Sequence, residues 1–148
     1  MNWTLVDVTA RSGFTPSAIS QTKLLGFAYN ATQRLYFRGA DDHVNELVNG
    51  DPRSSTWTVN DLMVQATCPA SANAATSPVG YLFRTQNTAH VFYRGYDSHI
   101  YELDYSIGSW HCNDLTAGTQ APPVLSSTDY TRLSACSWES VSSSLILS

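Results

Sequence analysis

The sequence repeats itself with a period of about 54 residues, and this repeat constrains the fold more than any other feature. Trp3, Trp57 and Trp110 recur at spacings of 54 and 53, and each is followed four positions later by an aspartate. The segment LYFRGADDHVNEL, residues 35–47, returns as VFYRGYDSHIYEL, residues 91–103. A period of this size, built from short strand-like runs, is typical of a β-propeller or a related repeat array. We therefore expect a single all-β domain over the whole chain, residues 1–148.

The repeats predict four-stranded blades. We place them at about residues 3–56, 57–109 and 110–148, the third being incomplete. The second unit offers four short runs rich in β-branched and aromatic residues and separated by turn residues, the last run lying just past residue 109: Val79 to Arg84, His90 to Gly95, His99 to Tyr105 and Trp110 to Thr116. In the Arg-Gly-x-Asp turn between the second and third runs, Gly39 and Gly95 are expected to supply a positive φ angle. No stretch has sustained helical periodicity, so little helix is expected.

The number of repeats predicts assembly with other copies. Propellers close with roughly four to eight blades, and fewer than three repeats cannot close alone. We expect oligomerisation to complete the ring, and a homodimer of roughly six blades is favoured.

Composition and charge exclude several classes of protein. Charged residues make up 14% of the chain and the net charge is -4, with the basic residues scattered, so nucleic acid is not an expected partner. No run approaches the roughly 18 apolar residues of a membrane span. The N-terminus lacks the features of a signal peptide, which favours a cytoplasmic or non-classically secreted protein. Cys68, Cys112 and Cys136 form no C-x-x-C pair, and we expect them to be small, half-buried thiols.

The repeated Asp-x-His-x-x-Glu group has three possible interpretations. A histidine and a glutamate three residues apart on a strand point to opposite faces, so one repeat does not direct its groups toward a single metal ion. Catalytic constellations normally occur once, whereas this group recurs in similar surroundings. We therefore expect no enzyme, metal site or cofactor. The favoured interpretation is hydrogen bonding between strands by Asp41, His43, Asp61, Asp97, His99 and Asp114.

A ligand-binding interpretation remains for the recurrent Arg, Glu and Trp residues and the adjacent aromatics. An aromatic ring offers a flat face to the C–H face of a sugar, and charged groups can bond its hydroxyls. For Trp57 and Trp110, ligand contact and core packing both remain open. The candidate carbohydrate-binding residues are Trp57, Trp110, Arg38, Arg94, Glu46, Glu102, Tyr93 and Tyr101.

At these blocks the sequence resembles the repeats of the Photorhabdus-lectin-like (PLL-like) β-propeller lectins. The match comprises Tyr93-Arg94-Gly95, Asp97, His99-Ile100, Glu102-Leu103 and Trp110 with Asn113-Asp114-Leu115-Thr116, and a weaker copy runs from Phe37 to Leu62. In this weaker copy, Met63 replaces the threonine. The resemblance implies a propeller, seven-bladed in that family, with pockets between blades that bind fucose and related or O-methylated sugars, and an agglutinin that presents several such sites.

The sequence therefore predicts a non-enzymatic, glycan-binding lectin. The alternative is a propeller scaffold for protein–protein interaction.

Overall fold

A computed structural model describes residues 7–13, 22–29, 31–51, 53–69 and 77–120. Within these residues the fold is built from strands and a few short helices, and the all-β prediction is confirmed. Trp3, Cys136 and the part of the third repeat beyond residue 120 lie outside the described residues.

The strands form two four-stranded antiparallel sheets, each with its strands in sequence order. Sheet 1 contains β1 (Leu25–Tyr29), β2 (Thr32–Arg38), β3 (Val44–Asn49) and β4 (Thr58–Asp61). Sheet 2 contains β5 (Val79–Phe83), β6 (Thr88–Arg94), β7 (Ile100–Ser106) and β8 (Ser109–Asp114). The predicted runs of the second repeat thus each become a strand of one sheet, in the predicted order.

Each sheet is followed by a short helix that begins at the recurrent aspartate. Helix α2 (Leu62–Gln65) and helix α3 (Leu115–Thr119) have Asp61 and Asp114 as their N-caps. The carboxylate of Asp114 accepts a 2.9 Å hydrogen bond from the amide of Ala117. Strand β8 therefore ends at Asp114 rather than at Thr116 as predicted, because the side chain satisfies an amide of a new helix instead of continuing the ladder.

A third helix, α1 (Val8–Ser12), repeats this arrangement at the start of the described chain. Its N-cap is Asp7, whose Oδ1 accepts a 3.0 Å hydrogen bond from the amide of Ala10. The aspartate that follows each recurrent tryptophan is therefore a helix cap, which explains why it repeats. None of the described helices is long and apolar enough to cross a membrane.

The Arg-Gly-x-Asp turns are tight, as predicted, but glycine serves a different purpose. The positive φ angles belong to Asp42 (65°) and Ser98 (70°), not to the glycines. A Cβ atom on Gly95 would lie 2.5 Å from Oδ1 of Asp97 and 2.8 Å from the ring of Tyr101. Glycine is required here because a side chain would clash with atoms that lie close to the backbone. The prediction of a positive φ at Gly39 and Gly95 is wrong.

One apolar core joins the two sheets. Tyr36 and Val44 of sheet 1 belong to the same buried cluster as Val91, Leu103 and Trp110 of sheet 2. A disulfide between Cys68 and Cys112 adds a covalent link, with the two Cα atoms 5.5 Å apart. The expectation of free thiols is therefore wrong for these cysteines, because folding brings together residues that lie 44 positions apart.

Candidate functional site

A cleft of about 440 Å³ lies between the two sheets. Strand alternation and register place Arg34, Val48 and Thr58 in one row across sheet 1, with Glu46 and Asn60 in the next. From sheet 2, Tyr105 and Trp110 face them as a cross-strand pair. The residues that line the cleft are Arg34, Glu46, Val48, Thr58, Asn60, Gln65, Tyr105, Gly108, Ser109 and Trp110.

The polar wall of the cleft is centred on the carboxylate of Glu46. Arg34 Nη1 donates a 2.8 Å hydrogen bond to Glu46 Oε1, and Asn60 Nδ2 donates one of 2.9 Å to Glu46 Oε2. The side chain of Glu46 is only 1% exposed. Glu46 therefore orients the guanidinium of Arg34 and the amide of Asn60, and both of these residues line the cleft.

Electrostatics keep this wall charged and fixed. Burial lowers the pKa of the Arg34 guanidinium, but the adjacent Glu46 and then Tyr36 more than offset this, so the net pKa is raised. Burial, followed by the charge of Glu46, raises the pKa of Tyr36. The tyrosine hydroxyl therefore remains protonated beside an intact ion pair.

The aromatic wall is formed by Tyr105 and Trp110, whose ring centroids are 5.2 Å apart. Trp110 also meets Tyr36 edge-on at 6.1 Å, and it is 6% exposed. The guanidinium of Arg34 lies 5.0 Å from the ring centroid of Tyr105, a cation–π distance. Trp110 thus packs in the core and also borders the cleft, and contact with a ligand stays a prediction.

Among the predicted carbohydrate-binding residues, the cleft brings together Glu46 and Trp110. Trp57 is half-buried just before β4 and is not among the lining residues. Glu102 lies on the face of sheet 2 opposite Tyr105 and Trp110, because neighbouring positions of a strand point to opposite faces.

The predicted arginines and tyrosines lie elsewhere. Arg38 is buried and paired with Asp42 at its own turn. Arg94 is buried as well, and its Nη2 donates a 2.9 Å hydrogen bond to Ser98 Oγ. The predicted tyrosines, Tyr93 and Tyr101, stack in the core with ring centroids 5.3 Å apart. These side chains hold the turn and the core of their own sheet.

Sheet 2 carries a second copy of the polar constellation on its outer face. His90 Nδ1 lies 2.9 Å from Glu102 Oε1, and Asn113 Nδ2 donates a 3.1 Å hydrogen bond to Glu102 Oε2. His90 takes the place that Arg34 has in sheet 1. The same bonding pattern in both sheets indicates that the glutamate and asparagine repeat as a unit, while the residue beside the glutamate Oε1 is an arginine in sheet 1 and a histidine in sheet 2.

The repeated aspartates and histidines connect each turn to the following helix cap. His99 Nδ1 lies 2.7 Å from Asp114 Oδ2, and Asp97 Oδ1 accepts a 3.0 Å hydrogen bond from the amide of His99. The bond to Asp114 raises the pKa of His99. The pKa of Asp114 is lowered by the amide of Ala117 and then by His99.

Sheet 1 has the same connection, formed by Asp41, His43 and Asp61. The Nδ1 atom of His43 lies 2.7 Å from Asp61 Oδ2. One potential ligand atom from each of the three residues lies within 4.8 Å of the others, a spacing that a metal ion could use. The third residue, Asp61, lies at the end of β4, outside the Asp-x-His-x-x-Glu group itself. Hydrogen bonds within the protein account for this cluster: Asp41 Oδ1 accepts from the amide of His43, and Asp61 Oδ1 accepts from that of Val64.

Sequence reasoning missed Arg34, Asn60 and Tyr105 as lining residues. Arg34 is not repeated as arginine, and Tyr105 aligns with no aromatic residue in sheet 1. Asn60 recurs as Asn113 directly before the capping aspartate, and this repetition was the one available signal.

No protein-family model and no curated protein matches this sequence. Function is therefore argued from the cleft itself.

Proposed function

We propose that this protein is a non-enzymatic, carbohydrate-binding lectin and that the cleft between the sheets holds one sugar ring. The observation that carries the proposal is the polar group of Arg34 and Asn60, held in place by the buried Glu46 carboxylate, opposite the rings of Tyr105 and Trp110. A pyranose has hydroxyls that need fixed donors and acceptors, and a C–H face that packs on an aromatic ring.

The size and chemistry of the cleft support a ligand of this class. Its volume of about 440 Å³ lies within the usual range for small-molecule sites, about 300–1,000 Å³. Thr58 adds a hydroxyl, while Val48 adds an apolar contact on the same wall as Glu46. Such an apolar contact suits the methyl group of a fucose-like or O-methylated sugar, the class implied by the sequence resemblance.

We propose further that the two sheets are blades of a β-propeller whose ring is completed by other copies of the chain, a homodimer being favoured. The identical strand order of the sheets and their shared core support this. A ring presents several weak sugar sites together, which raises avidity for a glycan surface. Light scattering on the purified protein tests the assembly, and a monomer at micromolar concentration would contradict it.

A glycan array followed by calorimetric titration tests the sugar site. Thr58 is exposed and belongs to the row of sheet 1 that faces the cleft, so Thr58→Trp should fill the cleft while leaving the buried Arg34–Glu46 pair intact. We expect affinity for the best array ligand to fall more than about tenfold. Thr85→Trp, at an exposed turn between β5 and β6, is the matched control and should bind normally. Unchanged binding by Thr58→Trp would refute the cleft as the sugar site.

A protein-binding scaffold remains the second candidate, favoured by a separate apolar hollow of about 490 Å³. Met63, Val64 and Pro69 contribute to its lining, and Val64 is 67% exposed. If Val64→Asp abolished a protein interaction while Thr58→Trp had no effect on any glycan, the scaffold would be the better interpretation.

A further inference from the structure

The Cys68–Cys112 disulfide joins the two walls of the cleft. Cys112 lies in β8 two positions after Trp110, so both side chains are on the face of sheet 2 that is turned toward sheet 1. Cys68 follows α2 three positions after Gln65, which lines the opposite wall. The covalent link therefore connects the segment carrying Gln65 directly to the strand carrying Trp110.

A weaker, noncovalent contact holds the same segment. The hydroxyl of Tyr93, in the core of sheet 2, lies 3.0 Å from Cys68 Sγ and 3.4 Å from the carbonyl oxygen of Pro69. Tyr93 itself is fully buried. Opening the disulfide would therefore leave the segment attached to sheet 2, although with fewer constraints.

We propose that the Cys68–Cys112 disulfide is a redox-sensitive positioning element that sets the distance between the cleft walls. A dithiol reductant supplies two electrons and two protons, the S–S bond breaks, each sulfur becomes a thiol, and the reductant becomes a disulfide. The wall containing Gln65 then moves more freely against Trp110, and the affinity for a sugar falls about tenfold, or about 1.4 kcal/mol. This last consequence rests on the proposed lectin function, whereas the change in wall mobility does not.

Hydrogen exchange measured by mass spectrometry tests the positioning role without any ligand. Cys136→Ser removes the third thiol, and this variant is compared in its oxidised form and after treatment with dithiothreitol. We expect exchange to rise most on reduction in residues 62–69 and 109–114, and less in residues 33–37 of β2, which respond only to the loss of global stability. Unchanged exchange would overturn the proposal. A uniform rise across both sheets would also overturn it, because the disulfide would then serve global stability alone.

Tyr93→Phe distinguishes positioning from a passive crosslink. If hydroxyl and disulfide hold the same segment, this substitution should alter exchange in residues 62–69 only slightly in the oxidised protein and clearly more in the reduced protein. Equal effects in both states would argue against a shared role. Cys68→Ala combined with Cys112→Ala provides a form that cannot reoxidise, and it should match the reduced protein.

Titration with methyl fucoside separates this inference from the proposed function. An affinity about tenfold weaker in the reduced protein supports the positioning role. Equal affinity in both states would show that the disulfide does not control sugar binding, and this part of the proposal would be overturned. If exchange responds to reduction but neither the fucoside nor any array glycan binds in either state, the lectin proposal fails and the mobility of the wall stands.

Discussion

The guanidinium of Arg34 and the carboxylate of Glu46 meet at 2.8 Å in a site where Glu46 is 1% exposed and Arg34 is 22% exposed. The pair spans neighbouring strands β2 and β3, and Asn60 of β4 closes the arrangement. Because Glu46 is much more buried than Arg34, its carboxylate is stabilised by hydrogen bonds from Arg34 and Asn60 rather than from water.

Removing Arg34 should therefore lower the free energy of unfolding more than removing an exposed arginine would. We expect Arg34→Met to lower the free energy of unfolding by about 2–3 kcal/mol, the low end for breaking a buried pair because Arg34 is partly exposed. Urea denaturation measures this. Arg53→Met, at an exposed turn position, should change stability by less than about 0.5 kcal/mol, and similar losses for the two variants would show that the carboxylate does not need its partner.

Gly80 should tolerate substitution far less than the glycine at the equivalent place in sheet 1. A Cβ on Gly80 would overlap the backbone carbonyl oxygen of His90. On Gly26 it would meet the flexible Leu35 side chain at 3.0 Å and the Arg34 carbonyl oxygen at an ordinary 3.6 Å, and on Gly50 nothing within 4 Å. Backbone in a paired strand cannot move aside as a side chain can. We expect Gly80→Ala to cost about 2–3 kcal/mol, with Gly26→Ala milder and Gly50→Ala milder still. Thermal unfolding of the three variants gives the order, and equal melting temperatures would be the contrary result.

Reduction of the disulfide should destabilise the protein as well as loosen the cleft. Crosslinking residues 44 positions apart removes unfolded-state entropy equivalent to about 4 kcal/mol at 25 °C. We expect the urea midpoint of the Cys136→Ser variant to fall accordingly when a reductant is added. A midpoint that does not move would indicate that Cys68 and Cys112 are not joined in solution.

The sequence was sufficient to predict the strands of sheet 2 because its apolar runs and turn residues give local signals. It was insufficient for the cleft. Arg34 contacts Glu46 across a strand pair, so its role depends on register, and Trp110 meets Tyr36 only when two sheets pack together. The Cys68–Cys112 link is a long-range contact of the same kind, and neither cysteine has a neighbouring cysteine to signal it.

The repeat pattern alone did not show that its arginines and aspartates have structural roles. Arg38 and Arg94 recur because each holds its own turn, and Asp61 and Asp114 recur because each caps a helix. The repeated residues were therefore informative about the fold, whereas Tyr105 and Arg34, which distinguish the cleft, are not repeated as such.

The His99–Asp114 contact predicts a stability contribution that depends on pH. The pKa of His99 is raised above 6.5, mainly by its hydrogen bond to Asp114, so this contribution is fully present below about 6.5 and is lost as the pH rises through the folded-state value. The pKa of Asp114 is lowered below 3.8, mainly by the amide of Ala117 and then by His99, so its contribution is present above 3.8 and is lost as the pH falls through the folded-state value. The coupling between the two side chains should therefore be strongest between about 3.8 and 6.5.

A double-mutant cycle measured by thermal unfolding over this range isolates the coupling. Asp114→Asn keeps an N-cap residue while removing its charge, His99→Gln removes the imidazole, and the double variant completes the cycle. We expect the coupling to be largest near pH 5, to weaken as His99 loses its proton at higher pH, and to weaken again in acid as Asp114 gains one. Both groups are close to solvent, so added salt should reduce the coupling. A coupling that stays constant from acid to alkaline pH would mean that the 2.7 Å contact is a neutral hydrogen bond, and the ionic account of why this Asp–His pair stabilises the turn and the helix cap would then be wrong.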